Sequence, residues 1–172
     1  MTFDRQPVLE GKLVRLRPLQ ENDLPALYEL ASDPLVWEQH PSKDRVQKPV
    51  FHRWFDETLA SGGALAVIDC RGGRIIGTSR FDHFDPGRSE IEIGGTLLAR
   101  SYWGGEYNGE MKRLMLRHAF GVVQNVVFRV HSLNLRSQRA VEKLGAVRIG
   151  VEPDAQGRGD NSVFRLEGPA SA

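Results

Sequence analysis

The spacing of apolar and polar residues changes several times along this chain, and each change marks an element. Residues 12–17 alternate charged with apolar side chains at period two, as a half-buried strand does, and Pro18 closes the run. Leu24, Leu27, Tyr28, Leu30 and Ala31 then recur at helical spacing behind Asp23, an N-cap residue, and stop before Asp33-Pro34. After an irregular stretch over 36–48, Pro49-Val50-Phe51 opens a second helix that runs through Trp54, Phe55 and Leu59 to Ser61-Gly62-Gly63. Three strand-like runs follow over 64–70, 74–84 and 90–99. Turn sequences at Arg71-Gly72-Gly73 and Asp85-Pro86-Gly87 separate them, so an antiparallel meander is predicted.

A third helix carries Met111, Leu114, Met115, His118, Ala119 and Val122 on one side, with Lys112, Arg113 and Arg117 expected to face out. A β-branched run covers 126–131. Asn134, or nearby Ser132, can start a fourth helix whose Leu135, Ala140, Val141 and Leu144 point inward and which Gly145 ends. Strands over 146–151 and 162–166 complete the order β-α-α-β-β-β-α-β-α-β-β. This is an α/β (α+β) single domain with a mixed, mostly antiparallel sheet of about seven strands and four helices. No repeat or linker divides it.

The loop between the third meander strand and the third helix carries the first chemical signal. In Leu97 to Glu110 an apolar run breaks at Gly104-Gly105 and resumes as a helix, so backbone N–H groups and the positive end of a helix dipole converge on one place. That is an anion pocket. It is not a P-loop, since no Gly-Lys-Ser/Thr follows, and it lacks the three-glycine dinucleotide pattern. A strand, a loop and a helix returning to another strand form a βαβ crossover, which places the ligand at the strand's carboxyl end.

Composition narrows the partners. The chain has 172 residues, with 23 Lys+Arg against 22 Asp+Glu, so no overall basic field calls for nucleic acid. No apolar run reaches transmembrane length, and residues 1–7 lack the core of a secretory signal, which gives an expectation of a cytoplasmic protein. Cys70, the single cysteine, excludes an intramolecular disulfide and a cysteine-rich metal site, and is read as a packed small residue. No metal is expected.

On the run Glu90-Ile91-Glu92-Ile93-Gly94 the two glutamates share one face and the isoleucines the other, placing carboxylates beside the crossover loop. Asn134 and Ser137 suit a helix cap and equally suit a site. His118 lies on the apolar helix face and is read as packed. No Ser or Cys elbow suggests a covalent nucleophile.

Taken in order, Arg15-Leu16-Arg17-Pro18-Leu19 with Asp23, Glu92-Ile93-Gly94, Tyr102-Trp103-Gly104 with Asn108 and Glu110, and Asn134 to Ser137 leading to Glu142-Lys143-Leu144-Gly145 resemble the GNAT (GCN5-related) N-acetyltransferases, in the branch similar to the ribosomal-protein N-acetyltransferases RimJ and RimL. The resemblance covers nearly the whole chain and implies one domain over 9–168, with loose termini at 1–8 and 169–172. It implies acetyl-CoA as cosubstrate. The pyrophosphate would lie on Trp103, Gly104, Gly105, Glu106, Tyr107 and Asn108, with Arg100 and Lys143 near the anionic end, and the pantetheine arm would run beside Thr96, Leu97 and Leu98. Gly94-Gly95 would let that strand bend or bulge. Asn134 and Ser137 would stand near the thioester, where Ser137 could hydrogen-bond the departing thiolate. A backbone N–H of 96–98 would hold the oxyanion.

The family loop reads Gln/Arg-x-x-Gly-x-Gly/Ala, whereas this chain has Ser101 and Glu106 at the outer positions. Glu106 is expected to point away from the phosphates, with Arg100 partly replacing the absent cation. Transfer to an α-amine, whose free pKa is about 7.7–8.0, requires a base. Glu92, directly or through water, is that residue, with His83 and His40 as alternatives. The acceptor side is expected to use Trp37, His40, Trp54 and His83, with a protein or peptide N-terminus as the leading acceptor. A small amine or antibiotic, or a non-catalytic CoA-binding role, stay open. A homodimer is a family expectation.

Overall fold

The computed structural model describes residues 1–170, so positions 171 and 172 of the expected loose carboxyl terminus lie outside the described residues. Its elements are β1 (Leu9–Glu10), β2 (Val14–Pro18), α1 (Leu24–Ala31), α2 (Lys48–Ala60), β3 (Ala64–Asp69), β4 (Ile75–Asp85), β5 (Glu90–Leu98), α3 (Glu106–Phe120), β6 (Asn125–His131), α4 (Leu135–Lys143), β7 (Val147–Pro153) and β8 (Asp160–Glu167). They form one 8-stranded sheet in the order β1-β2-β3-β4-β5-β6-β8-β7. The strand beyond the expected seven is β1, whose two residues pair antiparallel with β2 and are too few to show a period.

Every neighbouring pair is antiparallel except β5 and β6, which run parallel. A parallel pair needs a crossover, and α3 supplies it. The two faces bury separate cores. In β3, Leu65 and Val67 join Phe81, Ile91, Ile93, Met111 and Met115 beneath α3, whereas Ala64 and Ala66 join Leu27, Phe51, Trp54 and Phe55 beneath α1 and α2. β3 therefore reads as a continuous apolar run, because alternate residues meet opposite cores. Each fully buried Phe, such as Phe51, Phe55 or Phe81, contributes about 1.5–3 kcal/mol.

Two polar ties fix the crossover and the first helix. Glu110 in α3 accepts backbone N–H bonds from Lys12 at 2.7 Å, Leu13 at 2.7 Å and Val14 at 2.9 Å, locking α3 to the start of β2. Asp23 accepts both Nη groups of Arg17, at 2.8 and 2.9 Å, and the Gln20 N–H at 2.8 Å. Asp23 holds the N-cap position of α1 as expected, but its side chain braces β2 and makes no cap bond to the helix.

Four expectations are corrected. Lys112 is buried, 5% exposed, because α3 turns this position toward the sheet and not to solvent. Leu135 is 52% exposed at the start of α4, where Asn134 occupies the inward position. Cys70 is exposed in the turn after β3. Before β1, Phe3 sets its ring 5.1 Å from both Phe81 and His118, and Gln6 Nε2 donates to the Ala64 carbonyl at 3.1 Å, so residues 3–6 are docked and not loose. His118, as expected, is packed there, with Nε2 at 2.7 Å from the Asp4 carbonyl.

Candidate active site

The site is a parting of two strands. β5 and β6 pair only at Glu90 with Asn125, Ile91 with Val126 and Glu92 with Val127. Past those residues β5 stays bonded to β4 and β6 to β8, so the edges that face each other have no partner strand. The cause is visible in β5. Thr78 pairs with Leu97 but Arg80 pairs with Gly94, so β5 carries an extra residue, and Gly95 sits at φ +57°, open to glycine and strained for other residues. This is the bulge expected at Gly94-Gly95.

The parting opens into a cleft of about 260 Å³. Of the residues expected at the site, Trp37, His40, Trp54, Thr96, Leu97, Asn108, Asn134 and Ser137 line it. Asn134 is 6% exposed and its Oδ1 accepts the Ser137 N–H at 3.3 Å, so this residue caps α4 and faces the cleft together. Trp37 donates its indole N–H to the Ala31 carbonyl at 2.8 Å, which fixes that wall. His40 Nδ1 accepts the Ser42 N–H at 2.9 Å. Burial, with the charges of Arg45 and Arg158 nearby, pushes His40 down to about 3, so it is neutral and a poor proton acceptor.

Glu92 stands at the cleft's margin. Its Oε2 is taken by His83 Nδ1 at 2.6 Å and by an N–H of Arg129 at 2.8 Å, while Arg129 also donates to Glu152 at 3.0 Å. Its Oε1 makes no hydrogen bond within the described residues and lies 3.6 Å from where a Cβ on Gly94 would be. Gly94 and Arg129 both line the cleft. His83, in turn, is 73% exposed in its side chain and touches Glu92, not the cleft.

Around the crossover loop, Gly104 adopts φ +73°, and Gly105 precedes the first turn of α3. Trp103 Nε1 donates to the Leu98 carbonyl at 2.9 Å. Arg100 Nε donates to Asp33 at 2.6 Å, which ties it to the segment after α1. The cation beside the loop is instead Arg136, whose guanidinium stacks 3.6 Å from the centre of the Trp103 ring. Glu106 is exposed and does not line the cleft, and Lys143 is exposed in the last turn of α4. Tyr107 packs its ring 4.7 Å from that of Tyr102, whose hydroxyl donates to Asp69 at 2.7 Å.

Sequence reasoning missed the cations of the cleft, Lys112, Arg45, Arg158, Arg80 and Arg129. Lys112 donates to Ser79 Oγ at 3.1 Å and to the Thr96 hydroxyl, and burial pushes it down to about 7. The four-residue spacing from Asn108 to Lys112, one helical turn, was the available signal. Arg45 and Arg158 come from irregular segments, the 3₁₀ turn at Lys43–Val46 and the turn between β7 and β8, where no period exists to read. Within the described residues no group of His, Cys, Asp and Glu is arranged to hold a metal ion, and no helix is long and apolar enough to cross a membrane.

Residues 14–147 match the family model for the acetyltransferase (GNAT) domain. Among solved structures, a protein from T. thermophilus described as a candidate acetyltransferase is 32% identical, with a TM-score of 0.74 over 93% of this chain and 88% of that one. A GCN5-related N-acetyltransferase from Brucella melitensis superposes with a TM-score of 0.82 at 22% identity, over 94% of this chain and 79% of that one. Mycobacterium smegmatis RimJ in complex with CoA-disulfide shares the fold, with a TM-score of 0.70 at 16% identity over 94% and 86% of the two chains.

Proposed function

This chain belongs to the GNAT acetyltransferase family and is an N-acetyltransferase of acetyl-CoA, and from that premise we propose that its acceptor is the α-amine of a protein or peptide, acetylated by direct transfer. The observation that carries the reading is the parted β5–β6 seam. It offers an amide-bearing arm an unpaired strand edge, in the manner of an added strand. Thr96 and Leu97 lie on that edge, Asn134 and Ser137 face it, and the Gly104-Gly105 loop leads into α3, whose N-terminal amides favour a pyrophosphate.

Acetyl-CoA supplies an activated thioester carbonyl. The chain must hold that carbonyl against the amine and remove one proton. A backbone N–H of 96–98 polarises the carbonyl oxygen, and Ser137 donates a hydrogen bond to the departing sulfur. Glu92 Oε1 takes the ammonium proton, directly or through a water, since Oε2 is committed to His83 and Arg129. The amine lone pair then forms the C–N bond as the C–S bond breaks, and the second proton that the nitrogen loses goes to the departing thiolate, leaving the amide and the free thiol.

Calorimetry with acetyl-CoA, followed by thiol release over peptides, polyamines and aminoglycosides, tests the reading. Binding with peptide-dependent turnover is expected. Turnover confined to polyamines or aminoglycosides would overturn the acceptor, and binding without turnover on any amine would make the chain a CoA-binding domain.

A further inference from the structure

The charges around the cleft are badly matched. Arg45, Arg80, Lys112, Arg129 and Arg158 line it, against one lining carboxylate, Asp154. Asp154 is already spent, accepting Arg158 Nε at 3.0 Å and Asn161 Nδ2 at 3.3 Å. Arg129 is spent on Glu92 and Glu152. Arg45 is different. Within the described residues it has no carboxylate in salt-bridge range, and its guanidinium lies 5.0 Å from the Trp54 ring centre and 5.6 Å from that of Trp37. Burial and the like charges of Arg158 and Arg80 push it down to about 10, so it stays charged at neutral pH while its surroundings disfavour the charge.

Arg80 adds a second unmatched group. Its Nε is buried with no hydrogen bond, although Asp82 Oδ2 lies 3.3 Å away in a direction that does not accept the N–H. Buried donors without partners are costly, and in a binding site they mark a place where a ligand atom completes the set. Arg158 reaches across to the Ser42 hydroxyl, joining the turn between β7 and β8 to the segment that carries Arg45. A second hollow of about 540 Å³ shares Arg45, Trp54 and Arg158 with the cleft and continues past the cations Lys43 and Arg53, with Gln156 and the carboxylates Asp44 and Glu57, neither of which reaches salt-bridge range of Arg45.

We propose that the acceptor is an acidic one: a peptide whose first residues carry a carboxylate, held by Arg45 between the Trp37 and Trp54 walls while its α-amine enters the cleft. This rests on the peptide-acetylation reading above and names its specificity. The geometry favours carboxylate over a cationic acceptor for a direct reason. A polyamine or aminoglycoside would bring like charge to a site that already holds an unpaired arginine, whereas a carboxylate accepts the paired N–H groups of a guanidinium. Apolar walls raise the strength of that pairing by excluding water.

The test compares two peptides that differ only by Glu or Gln at the second and third positions, each assayed for acetyl-dependent thiol release, with free glutamate as a separate arm. The Glu peptide is expected to have a kcat/KM about 10-fold or more above the Gln peptide, as a charged hydrogen bond provides, and the ratio should fall as salt is raised. Arg45→Met should bring the ratio close to one and Arg45→Lys should leave it intermediate, while the KM for acetyl-CoA holds. The wild-type ratio alone decides the matter if a variant does not fold. Equal rates on both peptides, or an Arg45→Met effect on the KM for acetyl-CoA in place of the peptide, would overturn the acidic subsite, since the arginine would then serve nothing or the cosubstrate's phosphates. Efficient turnover of free glutamate with none of the Glu peptide would leave an anion site but overturn the peptide. Thiol release on neither peptide nor any other amine would overturn the transferase reading itself, and is read apart by whether the Glu peptide still binds through Arg45.

Discussion

The two ends of the β5–β6 seam are built from the same pair of strands and treat polar groups in opposite ways. At the closed end, Glu90–Glu92 pair with Asn125–Val127, and the Glu92 side chain is matched by Arg129 and His83, with Glu152 matching Arg129 in turn. At the open end the strand edges have no partner strand, Arg45 meets only the Trp37 and Trp54 rings and no carboxylate in salt-bridge range within the described residues, the Arg80 Nε makes no hydrogen bond, and Lys112 is buried against two hydroxyls. The closed end gains stability from its own side chains. The open end leaves groups unmatched, which a folding argument alone does not explain and which ligand binding does. Glu92 belongs to both ends, one oxygen bound on the closed side and the other free beside Gly94.

The largest effect should therefore follow from Glu92. Glu92→Gln keeps the size of the side chain and removes its capacity to take a proton. It should lower turnover by ~10²-fold or more, the scale of a lost general base, with acetyl-CoA affinity held within about twofold. Steady-state kinetics beside calorimetry reads both. An unchanged rate would confine Glu92 to the closed end as a purely structural partner of Arg129.

Gly104→Val probes the open end from the other side. A Cβ there meets nothing within 4 Å, so the change is not a clash, but φ +73° is a conformation that a β-branched residue adopts only with strain. The loop should shift to relieve it, and acetyl-CoA affinity should fall roughly tenfold, the equivalent of about 1.4 kcal/mol. Titration calorimetry measures this. A loss of stability with affinity intact would mean that the loop shapes the chain without gripping the cosubstrate.

Much of the closed end was legible in the chain's own text, because ladders and cores follow period. The alternation of Lys12 to Arg17, the meander from 64 to 99 and the apolar face of α3 all form where the spacing places them. The bulge at Gly94-Gly95 and the cap at Asn134 were legible too, since each residue type has a narrow conformational use. The open end was far less so. Arg45 and Arg158 come from turns, where neighbours are brought together by the ends of other elements. Arg100, expected to stand in for the absent cation of the loop, is held by Asp33 from a distant segment, and Arg136, for which no role was expected, stacks on Trp103 instead. Lys112 was misread for a physical reason as well: a charged residue on an amphipathic helix belongs outside unless something in the fold needs it inside.

Lys112 gives the smallest expected effect and the sharpest contrast between the ends. Its ammonium has a pKa near 10.4 in an unfolded chain, and burial pushes it down to about 7 in the folded one. Between those values the unfolded chain holds a proton that the folded protein has given up, so stability rises with pH across that window. Below about pH 7 both forms are protonated and the folded state carries the cost in full. Lys112→Met removes the charge with little change in shape, and Ser79 and Thr96 still satisfy each other across 2.9 Å. At pH 6 this variant should gain ~1 kcal/mol, about 2–4 °C in Tm for a chain of this size, with the gain fading toward pH 10. The same substitution at Arg129 should run the other way at every pH from 6 to 10, because it strips a partner from Glu92 and Glu152. Thermal melts of both variants across that range read the two signs together. Destabilisation by Lys112→Met at pH 6 would show that Lys112 is as well matched as Arg129, and the open end would then lose its claim to be built for a ligand at that position.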